Sequence, residues 1–246
     1  MVIHGCIDGF SRAIVFLKLS NNNRANTVHG YFIDGICKFR TPLRIRTDHG
    51  TENVEVAKTM LEIRGVESRP VITGKSVHNQ RIERLWVDTG FQVIHKYKDI
   101  FYFLEQAFGL DPSNDIHLFS LHYVYFPRIS KTLKEFSQSW NNHPLRTSQN
   151  RTPLQIWSMG FYKSVGNDLI QMTDTELFAY GIDWDGPVPQ IETANNVQVP
   201  LIEVELTDEQ LYYQYENFDP LRNDDNYGID VFLDVLNYID NYLAEV

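Results

Sequence analysis

Two short segments rich in apolar, β-branched and aromatic residues open the chain: residues 2–8 (VIHGCID) and 13–19 (AIVFLKL). Only Gly9-Phe10-Ser11-Arg12 separates them. So short a connection joins neighbouring antiparallel strands, because a parallel pair needs a crossover of a dozen residues or more. The pattern then changes period. Val28, Phe32, Ile36 and Phe39 recur at helical spacing across residues 24–39, and Pro42 stops that helix. Leu43–Thr47 alternates as a strand ending at Asp48. A second helix is expected over 52–64, with Val56, Met60 and Ile63 on one face and Gly65 behind it as a cap. Residues 66–77 read as a short strand and a polar loop. A long helical pattern follows from 79 to 108 with a break near Gly90, and aromatic-striped helices run through 113–142. Strand, strand, helix, strand, helix, strand, helices is an α/β order with a helical extension.

The pattern loosens over 164–207, where Gly181, Gly186, Pro187, Pro189 and Pro200 fall, and two acidic helices are expected at 208–217 and 228–244. A domain boundary near residue 165 follows, with a core at 1–165 and an acidic, mostly helical region at 166–246. Charge divides at the same place. Residues 1–163 hold 21 Lys and Arg against 14 Asp and Glu, whereas 164–246 hold one basic residue, Arg222, against 18 acidic ones. The net charge of −10 therefore hides a first part that attracts polyanions and a last part that repels them. The acidic region fits an arm for a protein partner, a cover over the basic face, or a solvated appendage.

No apolar run approaches the roughly 20 residues needed to span a bilayer, so no membrane partner is expected. No secretory leader is read at the N-terminus. Cys6 and Cys37 form neither a disulfide framework nor a CxxC zinc site, which makes a reduced intracellular compartment the expectation. Gly74-Lys75-Ser76 resembles the end of a phosphate loop, but Arg69 stands where that motif requires Gly. There is no GxSxG elbow, and the eight histidines show no zinc spacing.

Two carboxylates stand out. Asp48 closes a strand beside His49-Gly50, where a glycine permits close backbone approach; its plain alternative is a turn-capping Asp. Glu83 lies early in a helix whose stripe is Ile82, Leu85 and Trp86; its plain alternative is a solvated face charge. Together, a strand-end and a helix carboxylate can converge on one Mg²⁺, a hard cation that takes one or two carboxylates and completes its shell with water and phosphate oxygens.

Four segments in order, Ile7–Arg12, Arg46–Gly50, Val77–Trp86 and Trp140–Thr147, resemble the integrase core of retroviral integrases and DDE transposases. More narrowly, they resemble transposon-derived integrase-core proteins of animal genomes. The resemblance spans about residues 1–165. It implies a ribonuclease H-like mixed sheet flanked by helices, DNA as partner, Mg²⁺ or Mn²⁺ as cofactor, and metal-dependent phosphodiester cleavage and strand transfer. Asp48 and Glu83 match the second and third carboxylates of the family's catalytic and metal-binding set. The strand ending at Asp8 matches the family's second strand, so the first strand, with the first Asp, would lie before Met1. Asp8 is expected to serve its Ser11-Arg12 turn instead. The expectation is a weak or inactive catalyst, with a domesticated, non-catalytic binding module as the alternative.

For nucleic acid, Lys75, Arg81 and Arg84 lie beside the expected site and can take phosphates, solvated surface being the plain alternative. The Trp140–Thr147 segment reads as a buried Trp followed by a Pro turn. DNA as partner implies a nuclear location, and the resemblance leaves a homo-oligomer open.

Overall fold

A computed structural model describes residues 1–48, 50–74, 79–164, 202, 204 and 206–244. The boundary expected near 165 lies outside them. The chain forms two compact units, one from residues 2–89 and 134–164, the other from 90–133 and 206–244 together with Met1.

In the first unit, β1 (Val2–Ile7) and β2 (Ile14–Ser20) pair antiparallel, with a register irregularity between Cys6 and Ile7. The turn between them is closed by Asp8. The Ser11 N–H and hydroxyl both donate to Asp8 Oδ2, at 2.7 and 2.6 Å, while Arg12 N–H donates to Asp8 O. After α1 (Ala25–Phe39), β3 (Ile45–Thr47) and β4 (Val71–Thr73) pair parallel, with α2 (Val54–Arg64) between them. The expected mixed sheet is thus two separate two-stranded ladders among the described residues, because no described strand bonds to both β1 and β3.

One apolar cluster serves both ladders. Phe16 of β2, Val28 and Phe32 of α1, and Val56 and Met60 of α2 are buried together; Cys6, Ile45 and Val71 pack against them from β1, β3 and β4. Ile63, grouped with the α2 face by its spacing, is instead 51 % exposed. Gly35 lets α1 approach β2, since a Cβ there would meet Val15 Cγ1 at 2.7 Å. On β1, Gly5 makes room for the Trp86 ring of α3 (Gln80–Thr89), whose Leu85 is fully buried.

The end of α5 (Asp115–Asn142) and α6 (Pro153–Ser164) complete this unit. Trp140 Nε1–H donates to Arg12 O at 2.8 Å, so the buried-Trp reading of its segment holds for a half-buried indole. Asn141 accepts from Ile14 N–H and donates to Ile14 O. Trp157 and Phe161 of α6 meet Phe39 edge-on and the Arg40 guanidinium face-on.

In the second unit, Gly90–Ile94 is a π-helical segment rather than a break, and α4 (His95–Phe108) follows it. The expected helices over 113–142 are one helix, α5, despite Pro127 inside it. Tertiary bonds flank that proline and offset its missing donor. Tyr123 donates to Gln214 O and Phe218 O, and Arg128 donates to Pro220 O and Arg222 O. The acidic helices α7 (Asp208–Asn217) and α8 (Ile229–Ala244) belong to this body: Tyr125 packs on Tyr97, Phe101 and Phe232. A capping box between Thr207 and Gln210 starts α7. Among the described residues no helix is long and apolar enough to cross a membrane.

Two stability effects follow. Gly35→Ala, normally favourable within a helix, is expected to destabilise by about 1–3 kcal/mol through overpacking against Val15, read as a lower thermal midpoint. Gln214 is fully buried with neither side-chain amide atom hydrogen-bonded. Gln214→Met is therefore expected to leave the chemical-denaturation midpoint unchanged or raise it, because it removes unmet polar groups at nearly constant volume.

Candidate active site

The parallel ladder delivers Asp48. β3 is short because Pro42 precedes it and the Gly50 turn follows, so the strand ends at the first residue able to face solvent. Asp48 is exposed and its Oδ1 accepts from Gly50 N–H at 3.3 Å and Asn53 Nδ2 at 3.1 Å. Asn53, in the short turn Thr51–Asn53, also donates to Glu52 Oε1. Gly50 is needed here for close approach: a Cβ on it would lie inside the Glu52 carboxylate. Sequence reasoning passed over Glu52 and Asn53. The Asp-x-Gly-x-Glu-Asn spacing, which folds a turn back on its own carboxylate, was the available signal.

Glu83 stands in the first turn of α3, half-buried beside the fully buried Leu85. Its N–H donates to Asn79 O. Burial, and secondarily the negative charge of Asp48, push its carboxyl above the usual glutamate range. The structure therefore brings the two expected carboxylates into each other's field, across an intervening helix and loop. Asn79 Oδ1, four residues before Glu83, is buried without a hydrogen-bond partner.

The other expected residues distribute differently. Arg84 makes a two-point contact with Asp88 one turn along the same helix, both bonds at 3.1 Å, so its guanidinium is held along α3. Such an exposed pair contributes little stability and releases its arginine readily to a stronger anion. Arg81 is half-buried one turn from Arg84. Lys75 and His49 lie outside the described residues. Asp8 is occupied by Ser11, as expected for a turn-forming residue.

All the donors gathered here are oxygens, which suits a hard divalent cation rather than zinc. Asp48 and Glu83 fit one such ion if water and phosphate oxygens complete its shell. They do not make an all-protein cage: among the described residues no group of three or more His, Cys, Asp or Glu can hold a metal ion.

A raised carboxyl pKa means that the folded chain holds its proton more tightly than the unfolded chain. The stabilising contribution is present below the ordinary glutamate pKa and is lost as pH rises through the folded value. Carbon-detected NMR titration is expected to place the Glu83 midpoint above an ordinary glutamate. Asp48→Asn should bring it back only part of the way, because burial is the larger cause.

Comparison with protein-family models gives one match, an integrase core domain over residues 1–170. No curated protein and no solved structure matches. The matched span contains β1 to β4, Asp48 and Glu83, and the family implies a ribonuclease H-like fold, to which the α/β order of the first unit conforms. Covering more than two-thirds of the sequence, the match shows that this chain belongs to the integrase core domain family.

Proposed function

We propose that the chain is a DNA-processing core of the integrase and transposase class, built for metal-dependent phosphodiester cleavage and strand transfer and impaired in the form described. One relation carries this reading: the charge of Asp48 adds to the burial that raises the Glu83 carboxyl, so the two lie within each other's field although far apart in sequence. Two carboxylates in that relation with no cation between them repel, and a divalent ion relieves the repulsion. Asp48 and Glu83 are the residues that would hold Mg²⁺ or Mn²⁺. Such an ion polarises a phosphoryl oxygen and makes water or a 3′-hydroxyl a better nucleophile.

The chain's own groups account for the rest. Asn53 fixes the Asp48 carboxylate by donating to Oδ1, leaving Oδ2 for a ligand. Glu83, set in the first turn of a helix anchored by Leu85 and Trp86, has little freedom to swing away. Arg81 and Arg84, on that helix, are the positive groups nearest in sequence to Glu83 and are assigned to substrate phosphates.

Impairment follows from the carboxylate count. Among the described residues the first carboxylate of the family set has no stand-in, because Asp8 is committed to Ser11. Among the described residues β1 pairs only with β2 and β3 only with β4. The same commitment of Asp8 supports a second reading, a domesticated module that binds DNA without cutting it.

A supercoiled-plasmid nicking assay in Mg²⁺ or Mn²⁺ separates the two. The catalytic reading expects slow nicking that Asp48→Asn and Glu83→Gln each abolish. The binding reading expects no nicking, with salt-sensitive DNA binding that survives both substitutions and needs no metal ion.

A further inference from the structure

We propose that the β1–β2 turn, residues 143–152 and the start of α6 form a second nucleic-acid contact, in which Arg12, Arg146 and Arg151 bind the phosphodiester backbone of a strand. The inference rests on the reading of the chain as a nucleic-acid core and adds to it a surface apart from Asp48 and Glu83. It begins with charge. In a chain with 32 acidic residues, none occurs from 136 to 167, while Arg146, Arg151 and Lys163 do. No carboxylate of that stretch competes for its arginines. Asp8, the nearest acid in sequence to Arg12, is turned to Ser11.

Geometry then gathers the arginines. Arg12 is a non-glycine residue in the left-handed region (φ 64°), held there because its N–H donates to Asp8 O and its carbonyl accepts from the Trp140 indole. Its guanidinium reaches the Thr147 hydroxyl at 3.5 Å, next to Arg146. Leu145 and Arg151 close the following loop as a β-bridge, and Gln149 and Asn150 within it are both left-handed. Backbone strain of this kind persists only where the surroundings over-determine it. Arg146 and Arg151 are exposed, so the loop presents two cations from a fixed frame instead of a wandering one.

Beside it lies an open groove of about 620 Å³ whose polar lining is Asn142, Arg151, Thr152, Gln155 and Ser158, with Leu154 and Met159 supplying apolar wall. The Thr152 hydroxyl and Gln155 Oε1 already cap α6. Donors left in the groove include the Thr152 hydroxyl hydrogen, the Gln155 amide NH₂ and the Arg151 guanidinium, groups that meet phosphate and sugar oxygens. Cations on a rigid loop next to neutral donors, with no acid among them, fit a polyanion with regularly spaced charges.

The test is fluorescence anisotropy of labelled duplex DNA, single-stranded DNA and single-stranded RNA with the full chain across a salt series. Arg12 stays in place because its backbone carries the turn. Arg146→Ala with Arg151→Ala is expected to lower the salt slope by about two, each phosphate contact contributing about 0.9 on a duplex. Arg146→Lys with Arg151→Lys should restore the slope. Lys18→Ala, an exposed cation on β2, is expected to leave affinity within about twofold, as one cation outside the contact contributes only through the long-range field. An unchanged slope in the double Ala variant, with binding intact, overturns this surface and leaves the proposed function standing. Absence of binding by the unaltered chain overturns both. Displacement of the nucleic acid by poly-glutamate at equal charge concentration overturns the surface in favour of an acidic protein partner. The strand type bound most tightly identifies which backbone it takes.

Discussion

Asn141 supplies both a donor and an acceptor to the backbone of Ile14, and its neighbour Trp140 supplies an N–H to Arg12. These three bonds join positions more than 120 residues apart and close the first unit. β2 begins where a side chain of α5, not another strand, satisfies its first backbone groups. The turn before it can then adopt the left-handed conformation at Arg12 without fraying, and β1 is registered against β2 from that fixed end. Loss of the Asn141 amide would leave two backbone groups of buried Ile14 unmet, a larger penalty than the nominal strength of the bonds.

The carboxylates depend on the same unit in another way. Asp48 and Glu83 share no backbone contact. The elements that carry them are placed by packing: β3, β4 and α2 against one apolar cluster, and α3, through Trp86, against Gly5 of β1. Glu83 lies half-buried as a result, and that burial, with a smaller push from the charge of Asp48, raises its carboxyl above the usual range.

Much of this was legible in the sequence, for reasons that differ by element. The β1–β2 hairpin, α1 and α2 followed from period and punctuation, because each has a stripe of large apolar residues and a Pro or Gly at its end. Asp48 and Glu83 stand out as a pair through family likeness as well as position, and the matched family span contains both. Ile63 was misplaced because helical spacing says which residues share a face but not how far the buried face extends along a short helix. The π segment at Gly90 looked like a break, since a glycine in a periodic pattern reads the same whether the helix stops or widens. The incorporation of α7 and α8 into a packed body was hidden by their charge. Contacts of α7, α8 and the segment between them with α5 run through Tyr123, Arg128 and Tyr125, and all four hydrogen bonds of Tyr123 and Arg128 end on backbone carbonyls that no composition reveals.

Among the described residues β1 pairs on one side only, and that has a colloidal consequence. An unpaired strand edge is a template for another chain, and natural sheets usually guard such edges with lysine, proline or a bulge. Val2–Ile7 carries no charged residue and no proline, whereas β3 carries Arg46. Besides the register irregularity at its end near Cys6 and Ile7, charge acts at long range. The net charge of −10, with the acidic excess lying after residue 163, disfavours association between copies, and salt weakens that effect by shortening the reach of the field.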